Sequence, residues 1–326
     1  MTVLSDFSVT KPDCIEDAIA ARTGHPDSRF IAGGTDLLVN MRHGLSNPGL
    51  LIDLCAIDAL HGITSEGKEM RIGAGVTVAA LAADPAIRTR YRAVAEAAEA
   101  IAGPGHRAMG TVGGNLCLDT RCVYYNQSEW WRHANGYCLK HRGDICHVAP
   151  QGKRCHAAFT GDLAPSLLVF GAEVEIAGPS GRRRMPLNEL YVEDGQAHLR
   201  LERSEMLVAI YLPPTDLHSS YEKVRLRGAI DYPLAGVAAA LSVEGTAVEI
   251  LRIALTGTNS RPLALSGTEK LKGRKRDDSL MQDVDRLIQK QVQPMRTTVA
   301  SSNYRRLAAA AVGRRLVDKL LAEAVN

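Results

Sequence analysis

The sequence predicts an α+β fold in more than one domain, interrupted by an insertion. Three observations carry that expectation. Near the start, a strand, a glycine turn, a helix and a second strand follow one another closely. Later, Pro213-Pro214 separates two runs of strand and helix patterns, because successive prolines cannot continue a ladder and favour an extended connector. Between these landmarks, residues 119–159 change composition abruptly. Trp130 and Trp131, four of the ten histidines (His133, His141, His147, His156) and Tyr124, Tyr125 and Tyr137 fall in this stretch, within a chain otherwise poor in aromatics. This reads as an insertion with its own small core. At 326 residues the chain has room for two or three units and a sizeable buried interior.

In chain order, Pro12-Asp13 opens a helix that runs to about Arg22, with Asp13 and Glu16 at capping-box spacing. Arg29 to Ala32 reads as a short strand. It runs into Gly33-Gly34-Thr35-Asp36, a helical pattern through Met41, and a strand at Leu50 to Asp53, which together make a βαβ unit. Met70 to Gly73 is a further strand, and Val78 to Ala83 and Ala86 to Ala100 are alanine-rich helices. A glycine-rich stretch from Gly103 to Asn115 leads into the insertion. Asp162 to Phe170 then reads as a short helix, and Glu173 to Ala177 and Met206 to Leu212 as strands. Beyond the proline pair, Tyr221 to Arg227, Ala235 to Val243 and Glu249 to Thr256 are strands. Helices from about Ser279 to Gln291 and Ser301 to Ala324 close the chain. No internal repeat at solenoid periods is present.

Hydrophobic residues at 45% and charged residues at 23% exclude disorder over most of the chain. A net charge of +3 is too near neutral for a coat on nucleic acid or an anionic membrane. No apolar run approaches the roughly 18 residues that span a bilayer. Met1 to Asp6 lacks the basic start and apolar stretch of a signal peptide. These features predict a soluble cytoplasmic protein. Lys270 to Arg276 holds five basic residues in seven and reads as a solvated loop offset by Asp277 and Asp278.

Seven cysteines without a secretion signal read as thiols or metal ligands rather than disulfides. Cys122, Cys138, Cys146 and Cys155 lie within 34 residues, inside the insertion. Their spacing contains neither the Cys-x-x-Cys knuckle usual for zinc nor the ordinary ferredoxin run, so spacing alone leaves zinc and iron–sulfur open. The nearby histidines read as hydrogen-bonding or packing groups. Cys14 and Cys55 read as buried structural thiols.

Two glycine pairs, Gly33-Gly34 and Gly113-Gly114, each follow apolar residues and precede a polar one. Glycine tolerates positive φ and carries no Cβ, so such turns let a backbone approach an anion and aim N–H groups at it. Two converging turns would suit a dinucleotide pyrophosphate. The standard fingerprints fail: no Gly-x-x-x-x-Gly-Lys-Ser/Thr occurs. Gly103-x-Gly105-x-x-Ala108 follows a helix and contains Pro104, where a Rossmann turn needs a preceding strand.

Four ordered motifs carry a resemblance across nearly the whole chain outside residues 119–159. Ile31-Ala-Gly-Gly-Thr-Asp-Leu-Leu38, Gly110-Thr-Val-Gly-Gly-Asn-Leu116, Gly161-Asp-Leu-Ala-Pro-Ser-Leu-Leu168 and Tyr221-Glu-Lys-Val-Arg-Leu-Arg227 resemble, in order and spacing, the FAD-binding subunits of the molybdenum hydroxylase (xanthine oxidase) family. The resemblance implies an α+β fold of the vanillyl-alcohol-oxidase type. One FAD-binding subdomain would span residues 1–57, a second 58–214 with the insertion at 119–159, and a C-terminal α+β domain 215–326. It also implies that Ala32, Gly33, Gly34, Thr35 and Asp36, flanked by Phe30, Ile31 and Leu37, hold the pyrophosphate together with Gly110, Thr111, Gly114 and Asn115. Ile101 and Ala102 would lie by the flavin, and Cys117 would wall its pocket. Asp162 would bond ribityl or adenosine hydroxyls, although a helix N-cap is its plain structural role. Leu207 and Lys223 would complete the pocket.

By the same resemblance, the cysteine-bearing insertion is similar to that of family members with an additional 4Fe–4S cluster, and Cys122, Cys138, Cys146 and Cys155 are its implied ligands. The implied partners are a large molybdopterin subunit and a small subunit with two 2Fe–2S clusters, in a dimer of heterotrimers. A ferredoxin-type donor would supply electrons that run through 4Fe–4S and FAD to 2Fe–2S and molybdenum. Xanthine- and carbon-monoxide-oxidising relatives instead use the flavin to discharge electrons. Neither nucleic acid nor membrane is an expected partner. No general base or nucleophile stands out, as expected of a chain that carries electrons only. The competing reading is a zinc-stapled nucleic-acid-binding module using the basic loop and the aromatic insertion, against which the near-neutral charge counts.

Overall fold

Parallel strands need a crossover between them, and the N-terminal segment supplies two. Strands β1 (Ser8–Thr10), β2 (Ser28–Ile31) and β3 (Leu50–Asp53) form a parallel sheet in the order β1-β3-β2. Helix α1 (Ile15–Gly24) joins the first two and α2 (Leu37–Arg42) the last two. The computed structural model describes residues 4–325; the first three residues of the Met1 to Asp6 segment and Asn326 lie outside the described residues. Helix α1 is capped by Cys14, whose Sγ accepts from the Asp17 N–H at 3.4 Å, and not by an Asp13–Glu16 box. The phase is set by burial: Ile15, Ala18 and Ile19 pack inward, so the helix begins after Cys14 and Asp13 stays exposed.

A second sheet is antiparallel throughout. It comprises β4 (Ile63–Glu66), β5 (Glu69–Gly73), β6 (Glu173–Gly178), β7 (Gly181–Pro186) and β8 (Met206–Leu212), in the order β4-β5-β8-β6-β7. All seven residues of the central strand β8 are buried, which explains its unbroken apolar run. Glu175 faces Ala209 and Ile176 faces Leu207, so Val208 is an extra, bulged residue. The bulge divides the strand between two cores. Met206, Val208, Ala209 and Tyr211 join Ile15, Ile19 and Ile52 on the N-terminal side, while Leu207, Ile210 and Leu212 join the helical layer on the other.

That layer contains α3 (Val78–Ala83), α4 (Pro85–Arg90), α5 (Arg92–Ala100), α6 (Pro104–Met109) and α7 (Val112–Leu116). The insertion then carries α8 (Glu129–Ala134), and α9 (Leu163–Leu168) follows it. The single helix expected over 86–100 is broken at Tyr91. Its ring is fully buried edge-on to Phe170, with centroids 5.2 Å apart, and its hydroxyl donates to the Pro213 carbonyl at 2.8 Å. Seating that ring interrupts the helix at a single residue.

After Pro213-Pro214, β9 (His218–Val224), β10 (Ala235–Glu244), β11 (Ala247–Thr256) and β12 (Leu263–Ala264) form an antiparallel sheet in the order β12-β11-β10-β9. Strand β10 is rich in alanine because both its faces are covered. Ala238 and Ala240 join the core under α5 and α9, while Val237, Ala239 and Leu241 meet α10 (Asp278–Gln291) and α11 (Ser302–Val325). The basic loop lies beside α10 and α11. Arg274 pairs with Asp283 at 2.9 Å and Arg276 with Asp318 at 2.7 Å, while Asp277 is occupied in capping α10. The chief counter-charges are therefore Asp283 and Asp318, while Asp277 contributes a longer pair with Arg274 at 3.9 Å. Cys55 is exposed and Cys14 half-buried, correcting the expectation of buried thiols: both stand in turns at element ends, where the backbone leaves them uncovered. Among the described residues, no helix is long and apolar enough to cross a membrane.

Arg305 of α11 is fully buried and has no carboxylate partner among the described residues. Its guanidinium donates to the carbonyls of Leu234 (3.0 Å), Met295 (2.7 Å) and Gly257, and to the Thr297 hydroxyl (3.1 Å). It thereby braces three segments of the C-terminal domain, and burial pushes its pKa down to about 10. Arg305→Met leaves several buried acceptors without donors and should cost at least about 3 kcal/mol, at roughly 1–3 kcal/mol per orphaned group. Urea unfolding should show a lower midpoint at an unchanged slope. An unshifted midpoint would refute the brace.

Candidate functional site

The first glycine turn is held from outside. A Cβ on Gly33 would stand 1.8 Å from the Met109 carbonyl oxygen, so this backbone lies directly against the end of α6, and Gly34 takes φ +69°. Both glycines are required by position, one by close approach and one by a left-handed backbone. The second turn is a helix start. Thr111 caps α7 by accepting from the Gly114 N–H at 3.1 Å, and Gly113 donates to the Ala74 carbonyl at 2.8 Å. Gly114 does not have positive φ, so its lack of a side chain serves approach alone.

The two turns face one cavity of about 910 Å³. Phe30, Ile31, Ala32, Gly33, Gly34, Thr35, Asp36 and Leu37 line it, with Ile101, Ala102, Gly110, Thr111, Gly114, Asn115, Cys117 and Asp162. Ala102 is held at φ 42°, an uncommon angle for a residue with a side chain. Leu207 and Lys223 are not among the lining residues. Leu207 belongs to the core of β8, and Lys223 reaches the site through Asp162 at 3.0 Å. Asp162 makes no capping bond to α9; Asn115 Oδ1 accepts the Leu163 N–H at 3.1 Å instead. The Asp162 carboxylate accepts from the Tyr221 hydroxyl at 2.6 Å and from Lys223. Burial pushes the Asp162 pKa up, opposed by the Lys223 charge and these hydrogen bonds.

Among the described residues, ten buried side-chain polar atoms have no hydrogen-bond partner; six are nitrogens of arginines that do not line this cavity, and the other four, Asn40 Oδ1, His141 Nε2, Thr160 Oγ1 and His198 Nε2, belong to residues that do. An unsatisfied buried group costs about 1–3 kcal/mol, so four of them around one cavity mark a site made for a polar ligand. Ring nitrogens, a hydroxyl and an amide oxygen suit the hydroxyls, phosphates and heteroatoms of a dinucleotide. The turns supply backbone N–H groups, and the residues present therefore fit FAD. None of the four belongs to a motif visible in the sequence. They come from α2, the insertion, the residue just after it and an irregular segment before β8, and folding alone assembles them.

The insertion also forms part of this wall, which the sequence reading did not anticipate. Lys140 and His141, in a tight turn after Cys138, reach the cavity together with Tyr125. Asp36 is taken up by the insertion: it pairs with Arg121, whose guanidinium lies 4.7 Å from the Tyr232 ring centre, and accepts from the Asp119 N–H at 3.4 Å. Cys122, Cys138, Cys146 and Cys155 are all buried and line a second, small cavity. Tyr125 and Lys140 border both cavities. Burial raises the Cys122 thiol to about 11 and those of Cys155 and Cys117 to about 12. Among the described residues, no three His, Cys, Asp or Glu side chains are grouped to hold a single metal ion.

His198 supplies a pH test. It is almost fully buried, and desolvation pushes its pKa from the usual 6.5 down to about 4. Between those values the unfolded chain binds a proton that the folded imidazole refuses. Stability is therefore unaffected above pH 6.5 and falls by up to roughly 3 kcal/mol as pH drops towards 4. His198→Gln should flatten that part of the curve in urea unfolding measured across pH; parallel curves for the two proteins would refute it.

Comparison with known proteins agrees with this geometry. Residues 5–215 match the family of the FAD binding domain in molybdopterin dehydrogenase, and residues 219–320 match the CO dehydrogenase flavoprotein C-terminal domain. The carbon monoxide dehydrogenase medium chain of Afipia carboxidovorans is 29% identical over 98% of both chains. The aldehyde oxidoreductase FAD-binding subunit PaoB of Escherichia coli is 31% identical, over 75% of this chain and 79% of its own. A crystal structure of the Cu,Mo-CO dehydrogenase superposes with a TM-score of 0.81 at 27% identity, covering 98% of this chain and 99% of that one. Two domain matches that together span almost the whole sequence replace the zinc-stapled nucleic-acid reading, and the chain belongs to the FAD-binding medium subunits of the molybdenum hydroxylase family of oxidoreductases.

Proposed function

We propose that this chain is the electron-transfer subunit of a molybdenum-containing reductase that removes the phenolic hydroxyl of 4-hydroxybenzoyl-CoA to give benzoyl-CoA. The substrate chemistry would occur on a large molybdopterin subunit. A small subunit with two 2Fe–2S clusters would complete the heterotrimer, and a ferredoxin-type protein would donate electrons. Bound FAD and a 4Fe–4S cluster would supply one-electron exchange that amino-acid side chains do not.

One observation carries the reading: four buried cysteines surround one cavity whose wall, at Tyr125 and Lys140, is also the wall of the flavin cavity. A polynuclear cluster suits thiols spread around a cavity, because each binds its own iron, whereas a single ion needs them at one point. Burial on balance keeps the Cys122 and Cys155 thiols neutral until a metal displaces their protons. The turns at Gly34 and Gly114 would hold the FAD pyrophosphate, and Asn40, Thr160, His141 and His198 would bond its polar edges. Similarity along 98% of a carbon monoxide dehydrogenase medium chain favours a second reading, in which the flavin discharges electrons instead.

Two variants separate the cofactors. Cys146→Ser should lose about four irons per chain and keep most of its FAD, since a cluster needs all its thiolates while the glycine turns lie outside the insertion. Gly34→Val should lose FAD, because a branched side chain is strained at φ +69° and blocks close approach. Iron, zinc and flavin assays on anaerobically purified, desalted protein read both results. Unchanged iron in the first variant, or full FAD in the second, would refute the corresponding site. Benzoyl-CoA formation by the whole complex with a reduced ferredoxin-type donor tests the substrate; an iron-loaded complex that fails there supports the second reading.

A further inference from the structure

Lys140 is a buried cation between two cavities, and the cofactor assignments leave its charge without a role. Its side chain is 5% exposed and stands in the turn that follows Cys138. The ammonium is fixed on all sides: it donates to Asp119 Oδ1 at 2.6 Å, the Thr120 carbonyl at 3.0 Å and the Thr120 hydroxyl, and lies 4.4 Å from the Tyr125 ring centre.

The ion pair with Asp119 is directional. Lys140 borders both cavities, whereas Asp119 borders only the flavin cavity and is 30% exposed. Lys140 therefore stands in the wall of the cysteine cavity, and Asp119 lies on the flavin side, where partial exposure lets solvent screen its charge. A cluster held by four thiolates is negative overall and gains one more negative charge when it accepts one electron, with no bond made or broken. A fixed cation beside it stabilises the reduced form more than the oxidised one.

We propose that Lys140 tunes the cysteine site, raising the reduction potential of the iron–sulfur group it holds so that electrons from a low-potential iron–sulfur protein are retained there before passing to the flavin. This rests on the reading of Cys122, Cys138, Cys146 and Cys155 as cluster ligands. Asp119 acts in the opposite sense, and the paired charges set the poise between them.

The test is an anaerobic redox titration of the full chain with its partner subunits, followed by electron paramagnetic resonance of the reduced cluster, with iron and FAD content measured on each sample. Lys140→Met should cut the reduced-to-oxidised ratio at fixed poise about tenfold, a negative shift of about 59 mV for one electron. Lys140→Arg should restore most of it, and Asp119→Asn should raise the ratio. A wild type with FAD but no iron overturns the cluster reading itself. A loaded Lys140→Met protein with an unchanged potential leaves that reading standing and overturns the role given to Lys140. Should Lys140→Met fail to hold iron, Asp119→Asn decides: a higher potential supports the proposal, and an unchanged one ends it.

Discussion

The contact between the Gly33 backbone and the Met109 carbonyl is the constraint on which the site depends. It joins a turn of the three-stranded parallel unit to the end of a helix in the second layer, at a separation that no side chain could occupy. With that contact made, the turn at 111–115, itself bonded to Ala74 just past the end of β5, faces the first across the cavity. Packing this close leaves little freedom for either turn, so the backbone N–H groups are set in direction before any ligand arrives. The bulge at Val208 serves the same end. It lets one strand present apolar side chains to both cores and so fixes the two layers to each other.

Much of this was legible in the sequence because the signals were local. The βαβ unit, the last three long strands and both closing helices declared themselves by apolar periodicity and by glycine or proline punctuation. Strands β1, β4 and β7 did not. They are short or charged edge strands, and β7 carries Arg182, Arg183 and Arg184, whose partners Glu16, Glu69, Glu175 and Glu205 are visible only in space. The break at Tyr91 was hidden for a related reason. A ring buried against Phe170 overrides the helix propensity of the alanines around it.

At the site, residues within motifs were legible and residues assembled by tertiary contact were not. Sixteen of the residues named for the cofactor line the cavity because the turns that carry them are contiguous. Asn40, Thr160, His141 and His198 share no spacing rule, and their bonding atoms matter only because folding leaves them buried and unpaired together. Asp162 shows the reverse case. Its position before a proline-containing helix suggested a cap, yet Tyr221 and Lys223 from another domain claim its carboxylate, and Asn115 takes the backbone N–H.

The wiring of the insertion into the C-terminal domain has a consequence for biosynthesis. Val123 N–H donates to the Thr297 carbonyl at 2.9 Å, Phe159 N–H to the Asn259 carbonyl at 2.9 Å, and Ser260 bonds the Cys155 carbonyl. The cysteine loop leaves the ribosome long before these partners, which lie more than a hundred residues downstream of Val123. During that interval four thiols destined for burial stand open to oxidation and to stray metal ions. The last stretch of chain thus acts as a closing seal: until the helix bearing Arg305 has docked, the loop is unfinished chemistry held in a nearly finished protein.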